Sequence, residues 1–162
     1  MLYECIKESA MKFQTRLLHG KSVQSYEAGA TVPAISQCNA YSYESSEQLD
    51  GVTVNYPLLK SNPYHKIAGD QFGNKGGGIL TIRAGSRERA YAVINRLKYV
   101  KIATNIGDVR TLVIHPASTI YLHSNREARE AAGVFEDSIR VSVGIEDAED
   151  LIRDFTEAIK GL

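Results

Sequence analysis

Arg140 is the first residue whose type and setting could do chemistry. It lies in Ile139-Arg140-Val141-Ser142-Val143, where apolar and polar residues alternate. Strand alternation puts Ile139, Val141 and Val143 on one face of a sheet and Arg140 and Ser142 on the other. An arginine held on a rigid strand offers a planar fork of donors that matches a carboxylate at two points. The same pattern also describes a solvated arginine on an open sheet face. His115-Pro116-Ala117-Ser118-Thr119 is a second candidate, because small polar residues just after a strand often line sites; Pro, Ser and Thr equally make a plain turn. Lys75-Gly76-Gly77-Gly78 leads into a strand rather than a helix N-terminus, so it lacks the geometry of a phosphate cradle. His19, His65, His115 and His123 are scattered without metal-ligand spacing. Cys5 and Cys38 have no base beside them and read as ordinary thiols.

Positioning these residues requires a framework, and the sequence from Gly51 onward supplies one. Val52 to Val54 reads as a short strand stopped at Tyr56-Pro57, and Asn62-Pro63 as the opening of a short helix. Ile79, Leu80 and Ile82 form a strand after the glycines. Ser86 can cap a helix with apolar positions Ala90, Val93, Ile94 and Leu97. Ile102 to Ile106 is a short extended piece, and Val109 to Ile114 a strand stopped by Pro116. Asn125 to Ala132 is a short helix with Gly133 at its C-cap. After the strand around Arg140, Asp147 caps a last helix that buries Leu151, Ile152, Phe155 and Ile159. This order predicts an α/β (α+β) domain, a mixed or antiparallel sheet with helices on one face. Residues 11–50 are rich in Ser, Gln, Tyr, Ala and Gly and show no sustained period. They read as an irregular arm, with Val32-Pro33-Ala34-Ile35 extended.

The bulk properties exclude several classes. The chain has 162 residues, 43% of them hydrophobic, with 19 basic and 19 acidic side chains and no formal net charge. A nucleic-acid footprint or polybasic membrane surface needs a positive excess that is missing. No apolar run reaches the length of a membrane span or a signal peptide. Two cysteines make neither a disulfide framework nor a zinc set and suit a reducing cytoplasm.

The C-terminal motifs carry a resemblance. Asn105-Ile106-Gly107-Asp108-Val109-Arg110-Thr111-Leu112-Val113-Ile114-His115-Pro116-Ala117-Ser118-Thr119, Ala132-Gly133-Val134 and Ile139-Arg140-Val141-Ser142-Val143-Gly144-Ile145-Glu146-Asp147 resemble the C-terminal domain of the pyridoxal-phosphate enzymes of cysteine and methionine metabolism. Asn62-Pro63-Tyr64-His65 and Gly77-Gly78-Ile79-Leu80 fit the same domain. The Asn105-Ile106-Gly107-Asp108 form is most similar to the O-acetylhomoserine sulfhydrylase branch. Phe13-Gln14-Thr15-Arg16-Leu17-Leu18-His19-Gly20 and Val32-Pro33-Ala34-Ile35-Ser36-Gln37 followed by Tyr41 resemble the family's N-terminus.

The resemblance implies an N-terminal arm over residues 1–50 and, over 51–162, the small C-terminal domain of the aspartate-aminotransferase-like (fold type I) enzymes. It implies that Arg140 binds the substrate's α-carboxylate, that Ser118 lies near the same pocket, and that Asn105 lines the cofactor–substrate site. In the family a central domain lies between the two segments and carries the Schiff-base lysine, the ring stacked on the cofactor, the aspartate for its pyridine nitrogen and a Tyr-x-Arg phosphate clamp. Here Glu47-Gln48-Leu49-Asp50 runs directly into Gly51-Val52-Thr53. No catalytic or cofactor-binding residue and no cofactor is therefore expected in this chain, although the complete family enzyme uses pyridoxal phosphate for γ-replacement on an activated homoserine. The expectation is a truncated, inactive relative. Its alternatives are an assembly module, pairing with itself or a full-length relative through the arm and an uncovered, apolar sheet face, and a carboxylate-binding sensor.

Overall fold

The computed structural model describes Lys12, residues 51–73 and residues 75–162. The expectations for the rest of residues 1–50, the extended Val32–Ile35 piece and both cysteines included, lie outside the described residues. Five strands form one sheet in the order β1-β2-β5-β4-β3. They are β1 (Thr53–Asn55), β2 (Ile79–Arg83), β3 (Lys101–Ile102), β4 (Leu112–Ile114) and β5 (Ser138–Ser142). Three neighbouring pairs are antiparallel, and β3 runs parallel to β4. The sheet is therefore mixed, as its alternating helices and strands predict.

Among the described residues four helices accompany it: α1 (His65–Phe72), α2 (Arg87–Arg96), α3 (Arg126–Ala131) and α4 (Ala148–Ile159). Their ends obey local chemistry. The Ser86 hydroxyl accepts the Arg89 N–H at 3.2 Å, and the Asn125 side chain accepts the Ala128 N–H at 2.8 Å. The Asp147 carboxylate accepts the Glu149 N–H at 3.0 Å. Each satisfies a donor that the first helical turn leaves open. Gly133 follows α3 at φ 73°, a left-handed position that only glycine takes without strain. Pro63 does not open α1 as its sequence suggests: the helix starts at His65, and the Asn62 side chain holds the intervening turn by accepting the Tyr64 N–H at 2.8 Å.

The core lies between one sheet face and two helices. Val54, Leu80, Ile82, Val113, Ile139 and Val141 meet Ala90, Val93 and Ile94 of α2 and Leu151, Phe155, Ala158 and Ile159 of α4. Ile139 pairs with Ile82, and Val141 with both Leu80 and Val113, so the register aligns apolar side chains across three strands. Two acids tie this layer to its loops. Asp154, 2% exposed on α4, accepts backbone N–H bonds from Lys98 and Tyr99 at 3.0–3.1 Å. Burial pushes its carboxyl above the ordinary value, against the pull of those two donors. Glu146, 2% exposed, accepts the Thr111 N–H and hydroxyl, both at 2.8 Å. Gly144 sits beside it, where a Cβ would come 2.5 Å from the Val109 carbonyl oxygen.

Lys12 packs at the N-terminus of α4. Its backbone N–H donates to Asp150 at 2.7 Å, and its ammonium meets Glu149 and, at 3.6 Å, Asp147. Acidic side chains are favoured at this end of a helix, and here they also hold a residue from far along the chain.

Candidate carboxylate site

Arg140 stands at the middle of β5, between Thr81 on β2 and Ile114 on β4. Since Ile139 and Val141 face the helices, Arg140 and Ser142 share the opposite face, as alternation predicts. That face is not bare. Ile114, Leu112, Ser138 and Ser142 are all buried there. The segment from Ala103 to Arg110 contributes to the cover. The Ala103 N–H donates to the Val113 carbonyl at 3.2 Å, the last rung beside β4. The chain then leaves the sheet, so the extended run expected to reach Ile106 ends at Ile102.

Arg140 meets the departing segment. Its Nη2 donates to the Thr104 carbonyl at 2.7 Å and to the Asn105 carbonyl at 3.1 Å. The Gly107 N–H donates to the Ser142 hydroxyl at 3.1 Å. Asp108 then accepts the Arg110 N–H at 2.9 Å, closing the return to β4. The Arg140 Nε–H is buried and has no hydrogen-bond partner among the described residues. Of the three residues singled out from sequence, Arg140 and Asn105 are brought together, through the Asn105 backbone rather than its side chain.

Ser118 belongs to a neighbouring cluster. It closes a single turn of 3₁₀-helix, Pro116–Ser118, directly after β4. His115, 3% exposed, lies with Nδ1 2.8 Å from the Ser118 hydroxyl and Nε2 2.7 Å from the Glu136 carbonyl. A carbonyl can only accept, so Nε2 carries the proton and Nδ1 accepts. The Tyr91 ring packs edge-on against His115 at 4.7 Å. Its hydrogen bond with Ser118, and after it the bond from Arg87, holds the Tyr91 phenol below its ordinary value against the effect of burial. Sequence reasoning named the His115–Thr119 stretch but missed Tyr91 and the Glu136 carbonyl, because these partners lie on other elements.

A cofactor anchored as an imine needs a lysine that is desolvated and readily loses its proton. The described lysines do not fit. Lys12, Lys60, Lys66, Lys75, Lys98, Lys101 and Lys160 are all exposed. Glu149 raises the Lys12 ammonium and Glu157 that of Lys98, the direction opposite to a nucleophilic amine. Among the described residues no group of three or more His, Cys, Asp or Glu could hold a metal, and no helix is long and apolar enough to cross a membrane.

Comparison with known proteins places this geometry. O-acetyl-L-homoserine sulfhydrylase 1 of Thermus thermophilus is 42% identical over 70% of this chain and 27% of its own. Homocysteine synthase of Schizosaccharomyces pombe is 42% identical over 66% of this chain and 25% of its own. The chain thus spans about a quarter of the curated relatives it matches. A solved O-acetylhomoserine (thiol)-lyase of Campylobacter jejuni, which carries a pyridoxyl-lysine, superposes with a TM-score of 0.67 at 34% identity, over 71% of this chain and 28% of that one. Yeast cystathionine gamma-lyase superposes at 0.63 with 37% identity, over 67% and 28%. The fold is that of a part of these fold type I enzymes. A profile of the Cys/Met metabolism PLP-dependent enzymes matches residues 44–160, and the chain belongs to that family.

Proposed function

We propose that this chain represents the terminal segments of an O-acetylhomoserine sulfhydrylase-like enzyme, with 1–50 as arm and 51–162 as small C-terminal domain. Arg140 is its reader of an amino-acid carboxylate, with Asn105 and Ser118 at the edge of the same corner. One observation carries the reading. Arg140 is fixed on a central strand with a buried Nε–H that has no acceptor among the described residues. An orphaned donor of this kind is costly unless something comes to satisfy it. By itself the chain does not carry out the family's γ-replacement, because no described lysine fits an imine-linked cofactor. Incubation with pyridoxal phosphate should give no internal-aldimine absorbance band. A band that borohydride removes would overturn the inactivity. Calorimetry with L-methionine tests the carboxylate role: heat is expected from the unaltered protein and none from Arg140→Ala.

Exposed apolar side chains favour a second reading, an assembly module that pairs with itself or with a full-length relative. Ile67, Phe72, Ile102, Ile106 and Leu122 are each more than half exposed. Size exclusion with light scattering decides this reading, since a monomer that persists at high concentration contradicts it.

A further inference from the structure

The carboxylate role of Arg140 leaves a difficulty that its geometry makes specific. A guanidinium offers two edges to a carboxylate, one formed by Nε and Nη2 and the other by Nη1 and Nη2. Both edges use Nη2. That nitrogen already donates to two backbone carbonyls, Thr104 at 2.7 Å and Asn105 at 3.1 Å. The other donor of the first edge, Nε, is sealed from solvent without an acceptor among the described residues. As the chain stands, neither edge can take a carboxylate at two points.

We propose that the segment from Ala103 to Arg110 is a built-in competitor for Arg140, its two carbonyls standing where a ligand's carboxylate oxygens would bind. The inference rests on the carboxylate reading of Arg140 and adds a gate to it. A ligand reaches the full fork only when the segment lifts. The segment is hinged for this. At one end the Ala103 N–H stays with β4, and at the other the Val109 carbonyl accepts the Ile145 N–H at 3.0 Å. Between the hinges the described contacts to β5 are those of Arg140 and the single bond from the Gly107 N–H to Ser142. Residues Thr104 to Asp108 are all exposed, and Ile106, at 62% exposed, adds no apolar anchor. Released carbonyls and the Gly107 N–H would find water at once, so opening leaves little unpaired.

Ser142→Ala is the informative variant. It removes the second tether, leaves Arg140 in place and changes little volume on a buried position. If the segment competes, L-methionine titrated by NMR should bind Ser142→Ala about threefold to tenfold more tightly than the unaltered protein, the gain expected from deleting one opposing hydrogen bond. Amide exchange at Gly107 should quicken on ligand addition in the unaltered protein, and should already be fast in Ser142→Ala, where its acceptor is gone. Arg140-dependent binding with no gain in Ser142→Ala and unchanged Gly107 exchange in the unaltered protein would overturn the gate and leave the carboxylate reading standing. Absence of Arg140-dependent binding in both proteins would overturn both. A circular-dichroism melt of Ser142→Ala confirms that the variant compared is folded.

Discussion

The two faces of the sheet are built on different terms. One is an apolar layer in which Ile139, Val141, Ile82 and Val113 meet two helices. Its cohesion comes from burial, which is non-directional and spread over many side chains. The other face is held by directed bonds from a few polar groups on β5, with Arg140 and Ser142 holding down a segment of exposed residues. The first face fixes the strand, and the second spends that rigidity on aiming a guanidinium. A stable layer is therefore what allows one arginine to keep a costly unpaired donor.

Substitutions on the two faces should separate these roles. Ile139→Ala, at a fully buried position, should cost about 2–5 kcal/mol in urea unfolding. A loss comparable to a surface substitution would mean the helix face is not the stabilising one. Gly144→Ala, where the new methyl meets the Val109 carbonyl, should cost about 1–3 kcal/mol by the same assay. Asp154 sets a smaller, pH-dependent effect on the helix side. Its carboxyl is raised above 3.8, chiefly by burial. Below that pH both folded and unfolded forms hold the proton and the contribution is complete. As pH rises through the raised folded value the unfolded chain ionises first, and the stability is lost. Relative to Asp154→Asn, the unaltered protein should therefore weaken over that interval, and a relative gain would contradict the assignment. Arg140→Ala should change stability least, by about 1 kcal/mol or less, because the carbonyls it releases are solvated.

The same division governs what the sequence made legible. The helix face could be read from local pattern. Alternation around Arg140 and the apolar spacing of α2 and α4 are properties of neighbouring residues, and so are the caps at Ser86, Asn125 and Asp147. The fold class, and the placing of Arg140 opposite the core, followed from them. The other face depends on contacts between distant residues. Ile102 to Ile106 has a strand's composition, yet it leaves the sheet where Arg140, 35 residues onward, takes the Asn105 carbonyl. His115 sits in a sequence that spells a turn, and its role comes from the Glu136 carbonyl on another element. Asp154 carries no signal of its own in the sequence. Its burial is set by Lys98 and Tyr99, residues more than fifty positions earlier. The middle of the face expected to be bare is partly covered for the same reason, since Arg140 and Ser142 hold a loop that local pattern had assigned to a strand.

The central claim is that Arg140 reads a carboxylate, and its own side-chain N–H reports on this directly. In a ¹⁵N spectrum tuned to arginine Nε, the Arg140 signal should be protected from solvent exchange in the free protein, since the group is buried without a partner among the described residues. Titrating L-methionine should move that signal strongly downfield as an acceptor arrives, with the other arginines unmoved. An Arg140 signal that stays in place at saturating ligand, or one that shifts no more than the surface arginines do, would contradict the account.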